Sequence, residues 1–271
     1  MINFVALSRA PQTAAANVTL ANGVRLHYQN QGPRKGPAII LLHGYSDSSA
    51  SFGRVMPRLP MDLRVIAPDF RGHGDSARPV AGYRIRDLAG DVIQLMYALE
   101  VPSAVIVGHS MGSFVAQEVA DRSPGRVTGL VLIGSAPVAE NDTLKELRAA
   151  VDRLTDPVDD DFVREFQYST IAQPVPEAFM AAAVANSRRM PAAIWKQVIA
   201  GLIEYRPAVP RPYVRALVMG GTRDAVFSVS EQVALSQQYP RARLQLIDGV
   251  GHTPHWEQPD TFVNALLEFV R

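Results

Sequence analysis

The chain has no cysteine in its 271 residues. Disulfide staples, thiolate catalysis and zinc–thiolate sites are therefore excluded, and the composition fits a reducing compartment. Neither charge is in excess: 27 basic and 26 acidic residues leave a formal net charge of +1, so neither nucleic acid nor an anionic membrane surface is expected as a partner. No apolar run approaches the ~20 residues needed to cross a bilayer. The opening Met1-Ile2-Asn3-Phe4-Val5-Ala6-Leu7-Ser8-Arg9 carries an apolar patch with no basic region before it and does not read as a signal peptide. A cytoplasmic protein is the resulting expectation. Internal repeats and low-complexity tracts are missing too, apart from Ala14-Ala15-Ala16 in what reads as a loose leader over residues 1–16.

Apolar residues, by contrast, make up 47% of the chain, enough for the core of one large α/β domain with an insertion. The most informative stretch is Val105-Ile106-Val107-Gly108-His109-Ser110-Met111-Gly112-Ser113-Phe114. A β-branched run leads into G-H-S-M-G, and Phe114, Val115, Val119 and Ala120 continue with helical spacing, which predicts a buried strand turning sharply into a helix. Gly108 and Gly112 lack a Cβ, so strand and helix can approach closely. Ser110 is expected to take a strained backbone conformation that pushes its Oγ out at the strand's end. The N–H of Met111, at the start of the helix, is then placed to meet a developing oxyanion.

Strand and helix signals alternate on either side. Asn22-Gly23 between two short alternating runs predicts a hairpin. Pro37 to Leu42 reads as a strand buried on both faces, ending in His43-Gly44-Tyr45-Ser46-Asp47-Ser48 and followed by an expected helix over Ser49 to Leu59. The N–H of Tyr45 is a second oxyanion candidate, with its side chain over the pocket, whereas His43 reads as a structural histidine. A strand over Leu63 to Ala67 enters Pro68-Asp69-Phe70-Arg71-Gly72-His73-Gly74, whose charged side chains read as bracing one another. Helix Ile85–Leu99, the Ser110 unit and strand Val127–Gly134 follow. From residue 136 to 212 the strand rhythm stops and four helices separated by prolines are expected. Strands return at Ala216 to Gly221 and Leu244 to Ile247, the latter followed by a closing helix over Pro259 to Val270. The pattern predicts a mostly parallel sheet of about eight strands flanked by helices, its core over residues 17–135 and 213–271 and a helical cap over 136–212.

Serine hydroxyl is a weak nucleophile at neutral pH and needs an adjacent base, which a histidine oriented by a carboxylate supplies. Asp224 and His252 each follow a predicted strand, where reacting groups gather in open parallel sheets. His255, three residues on, and Asp248, in the same loop, are rivals to His252 and Asp224.

Five segments together, L-L-H-G-Y, A-P-D-F-R-G-H-G-D-S, V-G-H-S-M-G, G-G-T-R-D and G-V-G-H-T-P-H-W-E-Q-P, resemble those of the α/β-hydrolase superfamily over nearly the whole chain, and in particular bacterial serine esterases, lactonases and cofactor-free haloperoxidase-like enzymes. The resemblance implies the α/β-hydrolase fold and the order Ser110, Asp224, His252 for nucleophile, orienting acid and base. It also implies an oxyanion hole from the N–H groups of Tyr45 and Met111, no metal or cofactor, and a small to medium hydrophobic ester or lactone as substrate. Haloalkane dehalogenases and related epoxide hydrolases place aspartate where this chain has Ser110. The meta-cleavage C–C hydrolases share the serine but usually have a more glycine-rich loop than His43-Gly44-Tyr45-Ser46. A ligand receptor of the same fold is the alternative from another class. Ser113 stands where many relatives carry a second glycine and is expected to crowd the helix start slightly.

Overall fold

A computed structural model describes residues 13–208 and 213–271. Its strands are β1 (Ala14–Thr19), β2 (Arg25–Gln31), β3 (Ala38–Leu42), β4 (Arg64–Pro68), β5 (Ala104–His109), β6 (Val127–Ile133), β7 (Arg215–Gly221) and β8 (Arg241–Ile247). They form one eight-stranded sheet in the order β1-β2-β4-β3-β5-β6-β7-β8. The pairs β1·β2 and β2·β4 are antiparallel and the others parallel, so β5 lies at the centre.

Side chains along the central strands alternate between two cores. Ile39, Leu41, Val105 and Val107 pack with Phe52 and Phe262 on one face. Ile40, Leu42 and Ile106 pack with Met96 and Phe114 on the other. The strands therefore read as continuous apolar runs, because helices cover both faces. These are α1 (Ile85–Ala98), α2 (Met111–Arg122), α7 (Val229–Gln237) and α9 (Pro259–Val270), with one short turn of helix, α8 (Pro254–Glu257). The segment between β6 and β7 contributes α3 (Asp142–Val151), α4 (Asp160–Ser169), α5 (Glu177–Ser187) and α6 (Ala192–Ile203), the four helices expected there. No helix among the described residues is long and apolar enough to cross a membrane.

Several expected boundaries move. The leader assigned to residues 1–16 overlaps β1, which begins at Ala14 and pairs with β2 from Ala14↔Asn30 onward; residues 1–12, and the expected end of the insertion at 212, lie outside the described residues. The helix expected over Ser49–Leu59 is instead two 3-10 turns, Ser49–Phe52 and Met56–Arg58. Pro57 has no N–H to continue an α-helical ladder from Gly53, and the Ser48 hydroxyl accepts from Ala50 N to cap the first turn. Strand β8 starts three residues before Leu244, because its edge position leaves Arg241 exposed and does not require apolar side chains there. Helix α8 was not expected. Pro254, preset for a first helical position, is the signal that could have revealed it.

Candidate active site

At the end of β5 the chain turns through Ser110 with φ 51° and ψ −119° and enters α2 at Met111. A positive φ at a non-glycine residue costs on the order of 1–3 kcal/mol and persists only where its surroundings enforce it. Here they do. A Cβ on Gly108 would lie 2.2 Å from the Gly112 carbonyl oxygen, and one on Gly112 would lie 2.3 Å from that of Leu42. Ser110 N donates to Ile133 O on β6 at 2.9 Å. The Ser113 hydroxyl lies 2.5 Å from the Ser110 carbonyl oxygen and 2.6 Å from the Ser135 hydroxyl.

His252 follows β8, and its Nδ1 lies 2.9 and 3.1 Å from the two carboxylate oxygens of Asp224, just past β7. Asp224 Oδ1 also accepts from the N–H groups of Val226 and Phe227 at 2.8 and 3.0 Å. A carboxylate held in this way favours the tautomer with the proton on Nδ1, in which the lone pair lies on Nε2. The His252 main chain is anchored in turn, its N–H donating to Thr170 O of the inserted segment at 2.9 Å.

Ser110 and His252 line one cavity of about 100 Å³. Apolar side chains of the insertion and of α8, among them Leu147, Phe166, Leu202 and Trp256, form much of its wall, and among the described residues no lysine or arginine reaches it. Tyr45 lies in that wall, its hydroxyl donating to Trp195 O at 2.8 Å. Burial, followed by the charge of Asp152, pushes its phenol well above the ordinary range. Among the described residues no backbone acceptor takes the Tyr45 N–H, and Met111 N opens α2, where the first N–H groups have no intrahelical partner.

A scan against family models matches residues 39–265 to the alpha/beta hydrolase family. The chain belongs to that family. Among solved structures, the esterase EaEST from Exiguobacterium antarcticum superposes with a TM-score of 0.85 at 21% identity, covering 95% of this chain and 99% of that one. Esterase RhEst1 from Rhodococcus sp. ECU1013 gives 0.81 at 26% identity, covering 97% and 98%. By sequence, the 2-hydroxymuconate semialdehyde hydrolase of Pseudomonas sp. CF600 is 28% identical over 93% of this chain and 92% of its own length.

In this α/β-hydrolase the other expected candidates sit apart from the Asp224–His252 pair. His43 is buried, with Nε2 accepting from Phe70 N at 3.0 Å and Nδ1 2.8 Å from Gly44 O; burial lowers its pKa to about 4. Arg71 forms a bidentate pair with Asp91 of α1 at 2.6 and 2.5 Å, and His73 Nδ1 bonds Arg71 O at 2.9 Å. Asp69 accepts from Ser49 N and Asp75 N at 2.7 and 2.8 Å. Burial alone would raise the Asp69 pKa, but these bonds and the contact with His27 Nδ1 hold it well below the ordinary range. Both carboxylate oxygens of Asp69, in the His27, Asp69 and Asp75 group, thus have donors within the protein. His255 packs beside Ser51, with Nε2 3.2 Å from its hydroxyl, and Asp248 accepts from Thr222 Oγ1 at 3.0 Å. Sequence reasoning missed Asp47 and Gln167, which line the cavity. Asp47 was visible in the same loop as Tyr45; Gln167, within an amphipathic helix of the insertion, gave no signal.

Proposed function

We propose that this α/β-hydrolase is a serine hydrolase that cleaves a small to medium hydrophobic carboxylic ester or lactone through an acyl-enzyme. The observation that carries the reading is the His252 Nδ1 contact with Asp224 at 2.9 Å, beside a Ser110 held at φ 51°, with serine and histidine in one apolar cavity. Ser110 Oγ attacks the carbonyl carbon while His252 Nε2 takes its proton. Asp224 stabilises the imidazolium. The N–H groups of Tyr45 and Met111 bind the oxyanion. Collapse expels the alcohol, which receives its proton from His252, and water then attacks the acyl-enzyme with His252 again as base. Residues 136–212 act as a cap, since side chains from α3, α4 and α6 form much of the apolar wall. The esterase relatives support the ester reading.

The test is steady-state hydrolysis of p-nitrophenyl esters of increasing chain length and a set of lactones by the wild type and Ser110→Ala. Multiple turnovers that vanish in Ser110→Ala support the mechanism; activity that survives the substitution rejects it. The Pseudomonas relative named for 2-hydroxymuconate semialdehyde favours hydrolysis of a carbon–carbon bond as the second reading. Turnover of a vinylogous diketone with little esterase activity would establish it.

A further inference from the structure

Two polar groups of the cavity wall, Asp47 and His109, face each other without bonding directly, and Nδ1 of His109 has no other partner among the described residues. Asp47, two residues past Tyr45, is only 6% exposed. Its Oδ1 accepts from Gln167 Nε2 at 3.1 Å, while its Oδ2 lies 4.0 Å from Nδ1 of His109. That Nδ1 is buried with no hydrogen-bond partner among the described residues. His109 Nε2 lies 3.1 Å from the His252 carbonyl, which can only accept, so the ring proton sits on Nε2 and Nδ1 is a bare lone pair. At 4.0 Å the carboxyl and the lone pair are too far apart to bond directly. One oxygen placed about 2.8 Å from each would be a good partner to both, with an angle of roughly 90° at that oxygen.

The surroundings bring no fixed charge to the gap, which is narrow and bordered by the Gly44 backbone. A Cβ at position 44 would lie 2.8 Å from His109 Nδ1 and 3.0 Å from Asp47 Oδ2, so any residue larger than glycine there would fill the gap, and an entering oxygen displaces the buried surroundings of Nδ1 slightly. The titratable groups facing Asp47 are His109 at the end of β5 and His252 after β8; the insertion presents the uncharged Gln167. Arg54 shares an outer cleft with Asp47, but its guanidinium bonds the Trp256 carbonyl. Burial raises the Asp47 pKa to about 7, which keeps a proton available for donation at and below neutral pH.

We propose that Asp47 and His109 form a two-point site for a hydroxyl group of the substrate, making Asp47 a specificity and positioning residue for hydroxy-substituted esters or lactones. The substrate oxygen accepts the carboxyl proton of Asp47 and donates its own to His109 Nδ1. A plain acyl chain leaves the His109 Nδ1 lone pair without a donor and the Asp47 carboxyl proton without an acceptor, and a carboxylate in the gap meets no cation. The inference rests on the serine-hydrolase reading and adds a substrate class to it.

The experiment compares kcat/KM for p-nitrophenyl butyrate and its 2-, 3- and 4-hydroxy derivatives in the wild type, Asp47→Ala and Asp47→Asn, from pH 5.5 to 8.5. The wild type is expected to prefer one hydroxy isomer at least tenfold, with the preference falling above pH 7. In Asp47→Ala the ratio collapses towards one. In Asp47→Asn, whose amide still donates, much of the ratio returns without its pH dependence. No preference for any isomer in the wild type assigns the gap to a bound water and overturns the proposal. So does a preference that Asp47→Ala leaves unchanged. In parallel, calorimetry on Ser110→Ala compares butyramide with its hydroxy derivatives. If no ester is turned over, the mechanism fails while this arm still reads the site: tighter binding of one hydroxy amide, lost when Asp47→Ala is added, supports it, and equal binding overturns it.

Discussion

The Gly251 amide lies 2.9 and 3.0 Å from the two carboxylate oxygens of Glu257. The same carboxylate accepts from Ala172 N and Gln173 N of the inserted segment at 2.9 and 2.8 Å, and from Thr253 N and Oγ1 at 3.3 and 3.2 Å. One buried carboxyl group thus ties the loop carrying His252 to the segment after α4. Where it is attached, the insertion cannot shift without disturbing the histidine.

Glu257→Ala should leave several buried N–H groups without an acceptor, at a cost of about 2–4 kcal/mol. The expected result is a Tm lower by about 5–10 °C and a fall in kcat larger than the rise in KM, because the histidine loop loses its anchor. Thermal unfolding with steady-state kinetics checks this. An unchanged kcat in a folded variant would separate the clamp from catalysis.

Asp224→Asn tests how the imidazole is oriented. The amide can donate to Nδ1 and so favour the wrong tautomer, which in a serine mechanism costs on the order of 10⁴-fold in kcat. Asp224 also accepts from Val226 and Phe227 N–H groups, so the comparison needs circular dichroism showing that the loop remains folded. The rival carboxyl gives the control: Asp248→Asn, at an exposed site bonded to Thr222, should change kcat less than twofold.

The elements around this site were legible in the sequence where a local rule coincided with the tertiary demand. Gly108, Ser110 and Gly112 stood out because the turn tolerates no Cβ at the flanking positions, and Asp224 and His252 because each follows a strand that the sequence predicts. Asp47 was harder to read. Its distinction is a burial imposed by Gln167, which is 120 residues away in sequence. Glu257 likewise looks like a helix-end acid until the loop at 172 folds onto it. The helix expected over Ser49–Leu59 fails locally at Pro57, whose missing N–H breaks the α-helical ladder and leaves two 3-10 turns.

The cavity of about 100 Å³ has room for the equivalent of only a few waters. Short acyl chains should therefore be preferred, with kcat/KM for p-nitrophenyl acetate or butyrate exceeding that for the octanoate by at least about tenfold. Leu147 and Phe166 both line the wall. Leu147→Ala, which removes the smaller side chain, should move the optimum towards longer chains. A wild type that already prefers octanoate would mean that the cap opens much further than this conformation.

Acid should destabilise the fold steeply, for a reason that lies outside the catalytic chemistry. Burial lowers the pKa of His43 from its ordinary 6.5 to about 4 and those of His73 and His255 to about 3, and lowers His109 well below its ordinary value. Each stays neutral in the folded chain and takes up a proton below pH 6.5 when unfolded, so stability falls as pH drops from about 6.5 towards 4. Asp47 has the opposite sign: raised to about 7, it holds a proton in the folded state that the unfolded chain releases above 3.8, so its contribution is largest at low pH and is lost as pH rises through 7. The net uptake is about three protons on unfolding, a slope on the order of 4 kcal/mol per pH unit between pH 6 and 4. Urea unfolding midpoints at half-unit intervals measure it directly. His73→Gln should lower the slope by about one proton; a midpoint that stays flat from pH 6.5 to 4.5 would show that these histidines ionise within the folded protein.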